Sequence, residues 1–391
     1  DGAGTFTANN VSLSWNYSQD GVTGSDTVEI RVFAIEMVYI PQGAFFAGDN
    51  ATATASLKQG SSDNDPWYID SENQIITTSG AGSGTGVAET AAQYYYVSAS
   101  QTGESSTGAV FTIPSTFPKG YRAFYLMKGE ISQGQWVAFF NTLTATQKAA
   151  LDITNATGKN TDSLAYRNNV SWGGSGDATL PNQGSGATYE GVAMNYIAWV
   201  DVGAYLDWAG LRPMSELEFE KAGRGPYRSV SGEFVWGSTS VTKASSISNG
   251  GMPNEAAQSA ANVVHGNIAG VQGPMRVGAM AYGHTTRIES GAAYYGAMDL
   301  SGNTWDLCIT IGNSTGLTFN GAKHGNGLLT SGGNSDVSSW PDTSAVGSGY
   351  RGGNWRSGID DDLRISWRSR AASTRTNRAD YYGGRGARTA P

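Results

Sequence analysis

Three histidines and one cysteine carry most of the nucleophilic and metal-binding chemistry open to this 391-residue chain. His265, His284 and His324 each stand beside a glycine, and none has a second ligand at the spacing a metal site requires. Each reads as a surface or loop residue rather than an acid–base group. Cys308 lies in the apolar run Thr304–Ile311 and reads as a small core residue; a lone thiol excludes an intramolecular disulfide. Asp63–Pro66 (DNDP) offers oxygens to calcium but lacks the ligand ladder of an EF-hand, and reads as a capped turn. The glycine-rich GSGTG at 82–86 neither follows a convincing strand nor opens a helix, so it is no phosphate loop. No Ser/His/Asp or Cys/His set assembles. Composition and spacing point to a surface protein and name no reaction.

The elements that would position a binding surface are partly legible. Residues 1–36 predict a short β segment: Val11–Trp15 and Thr27–Ile35 run or alternate apolar across Asp-Gly and Gly-Ser turn pairs. Met37–Asp49 continues as strand, Pro-Gln-Gly turn and strand. Residues 50–118 are polar and rich in Gly, Ser and Thr, with Trp67–Ile69 and Gln93–Ser100 interrupting, and read as a decorated insertion. Helix starts follow. Ser132 with Gln135, Thr144 with Gln147 and Ser215 with Glu218 are capping boxes. Ile197, Val200, Ala204 and Trp208 fall on one face of a helix that Gly210 would end, and the helix after Ser215 is expected to stop before Gly223. Past about residue 225 no strong helix is expected, and Thr304–Ile311 is the best late strand. Few helices in a loop-rich β framework give an α+β fold.

Charge and composition narrow the function. With 25 Lys+Arg against 33 Asp+Glu the net charge is −8, which argues against a nucleic-acid partner held by its phosphates. No apolar run approaches the roughly 18 residues of a membrane-spanning helix. Low charge, 54 Gly and abundant Ser, Thr and Asn suit an extracellular, cell-surface or virion location. The last 41 residues depart from this background. They hold nine Arg, four Asp and no Lys, and Arg without Lys suggests planar or bidentate contacts. Arg351, Arg364 and Arg385 read as anchors tied to local carbonyls and carboxylates. Between such anchors stand Tyr, Ser, Gly, Asp and Trp, the palette of an adaptable binding surface.

Several blocks, in order, resemble the formylglycine-generating-enzyme (sulfatase-modifying factor) family: MVYIPQGAFFAGD (37–49), AFYLMKGEISQGQWVAFFNTL (123–143), 192–225, FVWG (234–237), GAMDLSGNTWDLC (296–308), YRGGNW (350–355) and GGRGAR (383–388). The resemblance implies a C-type-lectin-like fold over residues 37–391, with few helices, a small twisted sheet and long Gly-rich loops. It does not bring the activity with it. Family enzymes oxidise a substrate cysteine with copper held by two cysteines of the C-terminal segment, where this chain has none, and the histidine cluster of iron-using relatives is also missing. The family's calcium turn is matched by Gly302, Thr304 and Asp306, which become candidate ligands of a structural calcium. A second family calcium site, matched near Asn262–Val263 and Ala269–Val271, lacks its carboxylate.

Within this fold, RGGNWRSGIDDDLRISWRSR…YYGGRGAR resembles the cysteine-less variable proteins of diversity-generating retroelements, in which fixed scaffold residues alternate with diversified ones. The resemblance makes Arg351, Gly352, Gly353, Trp355, Leu363, Arg364, Arg385 and Arg388 scaffold. It makes Ser357, Ile359, Asp360, Asp361, Asp362, Ser366, Trp367, Ser369, Asp380, Tyr381 and Tyr382 the ligand-binding positions of a segment spanning 350–388. Trp367, Tyr381 and Tyr382 are the expected affinity anchors, and Asp360–Asp362 the charges expected to steer partner choice. The expected protein is non-catalytic, needs no cofactor, and binds a protein or glycan on another cell or virus. A structural subunit of a surface or virion assembly, with self-association into a homo-oligomer, is the alternative, and an enzyme of unrecognised chemistry is the third.

Overall fold

The helices begin where the sequence supplies a side chain to cap them. In the computed structural model, Ser132 Oγ accepts from Gln135 N at 3.2 Å, and Gln135 Oε1 accepts from Ser132 N at 2.9 Å. This closes the box that opens α1 (Gln133–Phe140). Thr144 and Gln147 do the same for α2 (Ala145–Ala150). In α3 (Trp199–Trp208) only half of the device is present: Asp201 Oδ2 accepts from Ala198 N at 2.8 Å. The chain then leaves through Gly210 in a left-handed conformation, φ +66°. Ser215 and Glu218 open α4 (Glu216–Arg224), which runs through Gly223 rather than stopping before it. The packing there is close: a Cβ would lie 3.3 Å from Val235 and 3.4 Å from Ile365.

The structure describes residues 12, 14–49, 56–59, 66–74, 76–79, 93–96, 111–258 and 260–391. Val11, Asp63–Asp65 and the GSGTG tract fall outside them. Strands β1 (Met37–Ile40) and β2 (Phe45–Ala47) follow the expected strand–turn–strand. Within 50–118 lie β3 (Leu57–Gln59), β4 (Trp67–Ile69), β5 (Ile76–Ser79), β6 (Gln93–Tyr96) and β7 (Phe111–Ile113). β2 pairs with β4, and β3, β6, β5 and β7 form a four-stranded sheet in that order. β8 (Phe124–Met127) carries β1 on one edge, and on the other β13 (Ala387–Thr389), so residues near both ends of the chain meet in one antiparallel sheet. Short strands β9 (Ile247–Ser248) and β10 (Ala256–Ala257) pair with each other, and a single turn of helix, α5 (Arg287–Ser290), follows. The expected late strand is β11 (Asp306–Ile309), antiparallel to β12 (Ser348–Arg351).

Two readings are corrected. Among the described residues before Met37 there is no strand: Tyr17–Asp20 is a 3-10 turn, and Thr27–Ile35 joins no ladder. Ile30 is 69% and Val32 65% exposed, so the alternation that reads as a strand meets no partner strand; Phe33 instead lays its ring 5.0 Å from that of Trp208. The face assigned to α3 also differs. Ile197 and Ala204 are buried, but Val200 and Trp208 are only half-buried, while Trp199, Val202 and Leu206 are in the core. Most residues of this helix are buried, which blurs the one-sided period of a surface helix. No helix among the described residues is long and apolar enough to cross a membrane.

Charge is buried where α4 meets the C-terminal segment. Glu216 and Glu220, one turn apart, hold Arg351 at 3.2 and 2.9 Å, and Glu216 also takes Arg368 at 2.9 Å. All four side chains are fully buried. Burial opposes the ionisation of Glu216, but Arg368 and Arg351 outweigh it and hold the carboxyl below its ordinary range. Between β12 and β13 the chain has only a 3-10 turn, Asp360–Leu363, for regular structure. These ion pairs therefore do for the loop what a ladder does for a strand.

Candidate ligand-binding site

Residues 350–382 fold back over β11 and enclose a cup of about 240 Å3. Its floor is aromatic. Trp305, Tyr350 and Tyr382 are almost wholly buried, with ring centroids 4.7 Å apart for Trp305–Tyr350 and 5.3 Å for Tyr350–Tyr382. Tyr381, half-buried, packs its ring 4.6 Å from that of Tyr382. Burial pushes the Tyr382 hydroxyl well above the ordinary phenol range, so it stays protonated.

One rim is a turn built by Asn354, whose Oδ1 accepts from Arg356 N at 2.7 Å and Ser357 N at 3.0 Å. Ser357 Oγ then donates to Asp362 Oδ2 at 2.6 Å, and burial raises the Asp362 carboxyl pKa against that bond. Ile359 projects from the same rim, 55% exposed. Behind the opposite wall, Trp355 Nε1 donates to Asp380 O at 2.8 Å, and Arg356 Nη1 reaches both Asp380 carboxylate oxygens at 3.0 Å. Arg370 and Arg375 complete the lining.

Five of the eleven expected positions line the cup: Ser357, Ile359, Asp362, Tyr381 and Tyr382. The other six do not. Asp360 is exposed but bound to Lys243 at 2.7 Å, which holds its carboxyl below the ordinary range, and its Oδ1 also lies 3.3 Å from His265 Nε2. Asp361 pairs with Arg364 at 2.9 Å. Ser366 is buried, donating to Asp49 at 3.0 Å, and Asp380 is buried under Arg356. Trp367 and Ser369 are half-buried outside the cup. The acidic triplet expected to steer partners is thus spent on internal contacts, and Trp367 is no anchor of this cavity. Three lining arginines, 356, 370 and 375, are not among the expected positions; their one signal is an Arg-rich, Lys-free segment.

The residues expected to hold calcium are engaged within the protein. Both oxygens of Asp306 accept from Arg385 Nε, at 3.0 and 2.9 Å. Thr304 donates from N and Oγ1 to Glu130 at 2.8 and 2.6 Å, and Gly302 N donates to Gly352 O at 2.7 Å. Burial pushes the carboxyls of Glu130, Asp299 and Asp306 up, and the Arg385 guanidinium supplies the positive charge among them. No group of three or more His, Cys, Asp or Glu side chains among the described residues is arranged to hold a metal ion. Cys308 is fully buried in β11, and burial pushes its thiol up, away from thiolate chemistry. His265 donates from Nδ1 to Asn354 O at 2.9 Å, and His324 Nε2 accepts from Thr389 N at 3.0 Å; both are structural. A larger cleft, about 650 Å3, takes no residue from the C-terminal segment, and its basic groups are engaged: Lys128 pairs with Glu36 at 2.8 Å, and Arg276 Nε donates to Glu255 O.

A fold of few helices, small sheets and long loops, with arginine-anchored loops closing over an aromatic floor, defines a class. The sulfatase-modifying factor enzyme 1-like domain matches residues 94–390, most of the chain, and the chain belongs to that family. Its fold is the α+β, C-type-lectin-like fold that the sequence blocks imply. Among solved structures, the chain is similar to variable protein 1 of Treponema denticola, at 13% identity and a TM-score of 0.36, over 81% of this chain and 95% of that one. No curated protein matches.

Proposed function

We propose that this chain is a non-catalytic ligand-binding protein whose segment 350–388 presents a diversified surface to a protein or glycan outside its own cell, on another cell or a virus. The cup carries this reading. Five residues expected to vary line it, and none of the five takes part in the ion pairs that fix the backbone beneath them. Ser357, Ile359 and Tyr381, which are not buried, can change at small cost, within about ±0.5 kcal/mol for typical surface sites, whereas Asp362 and Tyr382 are buried. The absence of His and Cys from the lining, and a sole thiol that is buried, support binding over catalysis. The test is to sequence the codons for residues 350–388 across many clones of one cultured lineage. Substitutions at Ser357, Ile359, Tyr381 and their neighbours, with Arg351, Arg368 and Arg385 unchanged, are expected. An invariant segment, or changes equally frequent at those three arginines, overturns the reading.

A further inference from the structure

We infer that the cup binds an acidic side chain of a protein partner, and that Arg370 and Arg375 are the residues that receive its carboxylate. This rests on the cup being the ligand site, and it assigns the ligand's chemistry. The argument starts from how this chain uses arginine. Six of the nine arginines after residue 350 are matched to carboxylates: Arg351, Arg356, Arg364, Arg368, Arg378 and Arg385. Arg388 bonds a backbone oxygen, that of Gly210, at the surface. The remaining two both line the cup.

Among the described residues, Arg375 donates from Nε and Nη2 only to the phenol oxygen of Tyr350, at 3.2 and 3.0 Å, and its guanidinium lies 5.6 Å from that ring's centroid. A guanidinium has five N–H donors, so most of its capacity is unspent. The Arg370 side chain has neither a hydrogen bond nor an ion pair among the described residues. In a chain of net charge −8, this is not for want of acids. Asp362 is the single acid in the lining; it is bonded to Ser357, and Arg370 acts on its charge without touching it.

Two cationic forks beside an aromatic floor suit a planar oxyanion, which can accept two parallel N–H bonds from a guanidinium. The floor rings are almost wholly covered, so the cup offers no broad ring face on which a sugar could stack. A cavity of about 240 Å3 suits one side chain, with Ile359 and Tyr381 at the rim to meet the flanking backbone.

The experiment titrates the full chain, at low ionic strength, with acetyl-Gly-Glu-Gly-amide, its Gln counterpart and glucuronate. Binding is read from tryptophan indole and arginine Nε–H NMR signals. The Glu peptide is expected to shift the Trp305 and Arg375 signals saturably and to bind at least about tenfold more tightly than the Gln peptide. R370Q should weaken it about tenfold with an unchanged unfolding midpoint, and D362N, which removes the competing acid, should tighten it. Equal binding of the Glu and Gln peptides, or full affinity in R370Q, overturns the inference. Saturation by glucuronate without the Glu peptide overturns it in favour of an acidic glycan. Silence from all three probes overturns the anionic assignment, while the cup itself stands or falls on the sequencing result.

Discussion

Replacing Glu216 by Gln should be the most informative single change to the scaffold. Five donors converge on this buried carboxylate. Thr310 Oγ1, Ile311 N and Arg368 Nη2 reach Oε1, each at 2.9 Å, while Arg351 Nη1 and Arg368 Nε reach Oε2 at 3.2 and 2.9 Å. In the variant the amide oxygen can serve the first three, but the amide nitrogen then points N–H groups at two guanidiniums that have lost their counter-charge. Removing one partner of a buried pair costs about 3–5 kcal/mol. Arg351 keeps Glu220 at 2.9 Å, which moderates the loss, whereas Arg368 loses the acid that accepts from both its Nε and its Nη2. The expected result in urea, followed by tryptophan fluorescence at neutral pH, is a fall of that size with unchanged denaturant dependence. Hydrogen exchange should quicken first in 348–370, the stretch the pairs hold. The sign with pH is fixed too: the folded pKa of Glu216 lies below its ordinary 4.5, so its contribution is complete above that pH and is lost as pH falls through the depressed value. The variant should lack this acid limb. A loss under about 1 kcal/mol would refute the claim that buried pairs organise the segment.

Other consequences are as direct. Cys308, buried with its thiol pushed up, should react with a thiol reagent at pH 8 no faster than the chain unfolds; rapid labelling of the folded protein would contradict its placement. His324 has its pKa lowered to about 4 by burial and by Arg212 and Arg388, and as a neutral ring it accepts from the last strand. Folding therefore excludes its proton, so its contribution is complete above about pH 6.5 and falls away toward pH 4, a slope that His324→Gln should flatten in denaturation curves taken across that range. Gly349→Ala would put a Cβ 1.8 Å from Ala371 O, so the variant should lose at least about 2 kcal/mol or fail to fold; a wild-type melting temperature would mean the segment does not pack on β12 as described.

What the sequence makes legible here is what local chemistry decides. The capping boxes at Ser132, Thr144 and Ser215 each complete their bonds within four residues, and all three helices start where those residues stand. β11 is legible for a similar reason: it is buried throughout and apolar beyond its first residue. The cup is only half legible. Ser357, Ile359 and Tyr381 were recognisable as positions between anchors, but the fate of the acids was not. Asp360 finds Lys243 and Asp306 finds Arg385 across more than 70 residues of chain, and charge alone does not say whether its partner is water or a distant side chain. The same distance hides the importance of Glu216, whose arginines lie 135 and 152 residues away. Thr27–Ile35 errs the other way: its alternation is real, but a strand also needs a neighbour with free edge groups, and none reaches it among the described residues.

The stretch between β12 and β13 is a loop closed at both ends, with Arg351 locked under α4 and Ala387 laddered to Leu126. Chain statistics then govern how it tolerates changes in length. Lengthening a flexible closed loop costs little, about 0.6 kcal/mol for each doubling, because the entropy lost on bringing its ends together grows only logarithmically. Gly358, exposed and with no atom within 4 Å of where a Cβ would stand, is the point where added residues would displace nothing. This architecture can therefore vary its reach as well as its side chains: a longer apex at 358 would raise one wall of the cup while both hems of the loop stay stitched.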